Sequence, residues 1–107
     1  MTFARYKDLL DVYISSGRSK EKMLAKISDP SEIAHDIDGL VRAVKIIAAS
    51  ADSDIRSLVE LTGLSNKEFS REYMIPYRSV QNWLAKGESR QADAVYIGYA
   101  MIQDLTT

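Results

Sequence analysis

At 107 residues, with 46% hydrophobic and 27% charged residues, the chain fits one domain, or one small domain with a helical extension, and its ordinary composition excludes a disordered tail. It has no cysteine, which excludes a disulfide framework, a thiolate zinc site and a cysteine nucleophile. The 14 Lys and Arg against 15 Asp and Glu leave a net charge of −1, without the basic excess that a stand-alone nucleic-acid binder more often carries.

The first segment, MTFARYKDLLDVYISS, mixes acidic with apolar residues and lacks the apolar run and cleavage site of a signal peptide. No stretch approaches the length needed to cross a bilayer, so no membrane is expected as a partner, and the lack of cysteine makes the cytoplasm the expected compartment. Phe3, Tyr6, Leu9, Leu10, Tyr13 and Ile14 recur every three or four residues and predict a helix over 3–16, ended near Gly17. Ser19 can cap a short second helix with Met23, Leu24 and Ile27 as its apolar residues and Arg18, Lys20, Lys22 and Lys26 outside. Asp29-Pro30-Ser31-Glu32 has the form of a capping box with proline at the first helical position, and predicts a long helix to about Ser50. Its expected core stripe is Ile33, Ile37, Leu40, Val41, Val44, Ile47 and Ala48, with Gly39 costing roughly 1 kcal/mol relative to alanine.

From Ala51 the rhythm changes to short helices between tight turns. Asp52 to Leu61 predicts a helix with Ile55, Leu58, Val59 and Leu61 inward, ended by Gly63. Ser65-Asn66-Lys67-Glu68 is a second capping box, opening a helix to about Tyr73 with Phe69 and Tyr73 inward. After a turn at Met74-Ile75, Pro76 stands at the start of a helix whose buried face is Val80, Trp83 and Leu84 and which closes near Gly87. The last helix, Gln91 to about Leu105, is apolar almost all round, through Val95, Tyr96, Ile97, Tyr99, Met101 and Ile102. One side is expected to meet the core and another a partner, which predicts a homodimer; the N-terminal helices are the alternative cover. The fold class expected is all-α.

The stretch LTGLSNKEFSREYMIPYRSVQNWLAKGES resembles the helix-turn-helix of the Cro/lambda-repressor family, also called Xre-type. Ser70 stands at the small-residue position, Ile75 is the turn hydrophobe, Val80 the core position of the recognition helix and Trp83 the tryptophan before the closing glycine. The resemblance covers about residues 52 to 105. It implies a lambda-repressor-like bundle at 51–107 with residues 1–50 as a helical extension, and a recognition helix lying in the major groove. Two departures stand out: Met74 where the family usually has glycine, and a segment from Lys86 to Ala92 that is one residue longer and lacks the usual basic run.

By the same resemblance Tyr77, Arg78 and Gln81 take the positions that face base edges. Arginine can grip guanine in bidentate fashion, glutamine can read adenine, and tyrosine can touch a thymine methyl or a phosphate. Asn66, Ser79, Asn82 and Lys86 are the candidates for backbone contacts, which position rather than specify. Local charge over 63–91 is modestly positive, five cations against three carboxylates.

Catalysis finds little to work with. His35 is the only histidine and cannot make a metal site alone; Glu68 and Glu72 lie four apart, but the capping box accounts for Glu68. No phosphate-binding glycine loop, Ser-His-Asp set or metal-ligand spacing occurs, so no enzyme and no cofactor are expected. The leading expectation is a sequence-specific regulator of transcription on double-stranded DNA. Its rival is a protein-interaction module, antitoxin-like or a mobile-element accessory, that docks a protein through its N-terminal or C-terminal helices.

Overall fold

A computed structural model describes residues 1–105 as all-helical. The helices are α1 (Phe3–Ser15), α2 (Lys20–Ala25), α3 (Ile37–Ala51), α4 (Ile55–Thr62), α5 (Asn66–Glu72), α6 (Tyr77–Lys86) and α7 (Gln91–Asp104), with a single 3₁₀ turn at Pro30–Glu32. Most begin where a short polar side chain takes up an unpaired N–H of the first turn. Thr2, Ser19, Asp36, Asp54 and Ser65 each accept from the residue three positions on. Gly63 and Gly87 end α4 and α6 in the left-handed conformation, at φ 70° and 84°.

The expected long helix from Pro30 is corrected. Asp29 caps only one 3₁₀ turn, accepting from the Ser31 N–H, with no return bond from Glu32. The chain then turns again, and Asp36 caps α3 afresh through the Gly39 N–H at 2.7 Å. Glycine fits at 39 because the chain folds back on itself there: a Cβ would lie 2.8 Å from that of Ala34. The core stripe is corrected in part: Ile33, Val44, Ile47 and Ala48 are buried as expected, but Ile37 is 75% exposed and Val41 50%, and Ala43, Ile46 and Ser50 add to the inward face.

α3 and α7 form the centre of the bundle, with α1 and α4 packed on α3. Their close approach has a sequence cause. A Cβ on Gly98 would lie 1.9 Å from Ser50 Oγ and 2.7 Å from the Tyr6 hydroxyl oxygen, so only glycine lets these elements meet. The Tyr6 hydroxyl donates to the Val95 carbonyl at 2.9 Å, and burial raises its pKa to about 12 against a smaller opposing effect of the Ser50 hydroxyl.

The radius of gyration, 13.3 Å, is that of one body, since about 13 Å is expected for a compact domain of this length. Residues before and after position 50 share one core, running from Tyr6 and Leu9 through Ile47 to Ile97 and Ile102. The apolar surplus of α7 is largely absorbed here: Val95, Ile97, Met101 and Ile102 are buried, and Tyr99 stacks edge-on to Phe3 and donates to the Met1 carbonyl. Of the large hydrophobic residues on that helix only Tyr96 is largely exposed, at 65%. Among the described residues no helix is long and apolar enough to cross a membrane.

Candidate nucleic-acid interface

The α5–turn–α6 unit is built by local chemistry. Ser65 accepts from the Glu68 N–H and Glu68 returns the bond to the Ser65 N–H, fixing the start of α5; these bonds also hold the Glu68 carboxyl below its ordinary pKa. Phe69 is fully buried and stacks on Tyr73, anchoring α5 from beneath. Tyr73 also donates to Asp104 on α7, and burial first, then the Asp104 charge, raises its pKa to about 12. The turn passes through Met74 at φ 55°, a left-handed conformation that ordinary side chains avoid. Ser70, one of few buried polar residues, receives the Ile75 N–H on its carbonyl at 2.9 Å and donates its hydroxyl to the Ile75 carbonyl.

Pro76 then opens α6 at φ −55°. At 100° per residue, Arg78, Gln81, Asn82 and Ala85 fall on one side of this helix and Val80 on the other. Val80 is fully buried, Trp83 and Leu84 half-buried, and those four residues exposed. The side chains of Arg78, Gln81 and Asn82 have no hydrogen-bond or ion-pair partner among the described residues. Tyr77 flanks this face toward α5, where the Lys67 ammonium stands 6.0 Å from its ring centroid, at the outer range of a cation–π contact.

Lys86 is exposed at the far end of α6, and Asn66 is exposed at the start of α5. Ser79 is placed apart from the rest: it is half-buried and lines the groove between the turn and α7, beside Trp83 and Tyr96. The structure thus brings Tyr77, Arg78, Gln81, Asn82 and Lys86 onto one exposed element, with Asn66 on its neighbour.

Two cations lie against α6 that the sequence did not single out. Lys67 is one. The other is Arg56 on α4, whose guanidinium donates to the Leu84 carbonyl at 2.9 Å, satisfying a free carbonyl and placing positive charge at the negative end of α6. Nothing local could have signalled this, since the two residues are 28 positions apart. Among the described residues no group of three or more histidine, cysteine or carboxylate side chains is arranged to hold a metal ion. No protein-family model, curated protein or solved structure matches the chain, so the site rests on its own geometry.

Proposed function

We propose that this chain binds duplex DNA sequence-specifically, as a repressor-type regulator of the Cro/lambda kind rather than as an enzyme, with α6 entering the major groove. One observation carries the proposal: α6 is anchored from below by Val80 while Arg78, Gln81 and Asn82, all able to bond base edges or phosphates, stand exposed with no partner among the described residues. In this reading Arg78 and Gln81 read bases, Tyr77 reaches a thymine methyl or a phosphate, and Asn66, Asn82 and Lys86 hold the sugar-phosphate backbone. Lys67 and Arg56 add positive charge at the two ends of the same helix.

A net charge of −1 leaves one copy with few phosphate contacts. Binding as a two-fold dimer doubles them and sets two α6 helices against half-sites about one DNA turn apart. The cytoplasm is where such a regulator works.

A second reading is favoured by a separate observation. Met74 is 91% exposed and Tyr96 65%, and they flank a groove lined by Ile75, Pro76 and Trp83. Apolar exposure of that kind suits a protein-interaction module in which the α5–α6 pair is a scaffold. Selection from a random duplex pool at low salt separates the two. Enrichment of a defined sequence, with preference at one base pair lost in Arg78→Ala, supports the regulator; folded protein that enriches no sequence refutes it.

A further inference from the structure

We infer that the outer face of α3 is where two copies of this chain meet, antiparallel across a two-fold axis near Val41. α3 carries two apolar stripes, and only one faces α7. The other, Ile37, Val41, Val44 and Ala48, falls within about 60° around the helix. Its second half is covered by the chain itself, with Val44 9% and Ala48 4% exposed, but its first half emerges from the core and leaves Ile37 75% and Val41 50% exposed. The open part is therefore continuous with a packed interface and lacks a cover only at its N-terminal end.

Charge says what kind of cover fits. On one flank of this stripe the N-terminal turn carries Asp38 and a later turn carries Lys45, with Arg42 farther round the helix, all exposed. Asp38 and Arg42 stand one turn apart, at the spacing of a helical ion pair, yet neither they nor Lys45 make an ion pair or side-chain hydrogen bond among the described residues. An acidic start and a basic end make the surface complementary to itself when a second copy runs the opposite way. With the two-fold at Val41, Asp38 lies about 4.5 Å to one side along the axis and Lys45 about 6 Å to the other, at 1.5 Å per residue. The partner's Lys45 then comes level with Asp38 to within about 1.5 Å, and the reverse pair forms by symmetry. Val41 meets its own copy, and Ile37 packs on the aliphatic stem of the partner's Lys45. A parallel approach would carry the partner's charges to the opposite flank of the seam and form no such pair.

This inference does not rest on DNA binding and is tested without DNA. Sedimentation equilibrium of the full chain at tens of micromolar, on the order of weak-interface affinities, should give a dimer. Val41→Glu should give a monomer with an unchanged helical circular-dichroism spectrum. Asp38→Lys and Lys45→Asp should each weaken the dimer by about tenfold, because each places like charges across the interface twice, and the two combined should restore it. The charge exchange keeps the test decisive if Val41→Glu disturbs the fold. A monomeric intact chain, a dimer that survives Val41→Glu, or a double variant as weak as the single ones would overturn the proposal.

Discussion

Ser70 and Ile75 hold the turn between α5 and α6 by two bonds of opposite direction: the Ile75 N–H reaches the Ser70 carbonyl, and the Ser70 hydroxyl reaches the Ile75 carbonyl. Between them Met74 is forced to φ 55° with its side chain 91% exposed. Ser70→Ala should destabilise by about 1 kcal/mol, the net value of one such bond. Met74→Gly should stabilise by about 0.5–1 kcal/mol, since relief of left-handed strain exceeds glycine's added chain entropy. Urea unfolding of both variants checks this, and a destabilised Met74→Gly would show that the turn stores no strain.

The crossing of α3 and α7 offers a sharper packing test. Gly98→Ala improves helix propensity by roughly 1 kcal/mol, yet it drives a methyl group into Ser50 and the Tyr6 hydroxyl. Overpacking of this kind costs about 1–3 kcal/mol and should win. Thermal melting of Gly98→Ala, alone and with Ser50→Ala, reads it. The pair should recover part of the stability, because the closest clash is with Ser50 Oγ; simple additivity would argue against that clash.

Alkaline pH should destabilise the protein through Tyr6. Its pKa lies near 10 in the unfolded chain and about 12 in the fold, so the folded state retains the proton over that window and stability falls as pH rises through it. Tyr6 alone contributes a slope of about 1.4 kcal/mol per pH unit there, and Tyr73 acts in the same direction. Below pH 10 the contribution is fully present. Tyr6→Phe should show a shallower fall of stability between pH 10 and 12 than the parent chain, measured by urea unfolding at stepped pH; equal slopes would contradict the burial of this hydroxyl.

Local signals in the sequence carried much of this fold. Ser65 and Glu68 form the expected capping box, Gly63 and Gly87 end their helices in the left-handed conformation, and Pro76 opens α6, because each feature is decided within four residues. Periodicity failed at Ile37 and Val41 for a physical reason: a helix can carry two apolar stripes, and spacing does not say which one the rest of the chain covers. Trp83 is likewise half-buried beside an open groove rather than enclosed. Pairings such as Gly98 with Ser50 and Arg56 with Leu84 join distant segments and leave no periodic trace. At the candidate interface the exposed positions of Arg78 and Gln81 were legible, whereas the half-buried placement of Ser79 and the approach of Lys67 to Tyr77 depend on how α5 and α7 flank α6.

Whether α6 reads DNA is tested most directly by a fluorescence titration of a selected duplex with the parent chain, Arg78→Ala and Lys86→Ala over a range of salt. Arg78→Ala should weaken binding to the selected duplex by about 1–3 kcal/mol and cease to discriminate at one base pair. Lys86→Ala should weaken binding to all sequences alike and reduce the slope of log affinity against log salt by about 0.9 for each phosphate that the lysine no longer neutralises. Unchanged affinity and base preference in a folded Arg78→Ala would contradict base reading by α6.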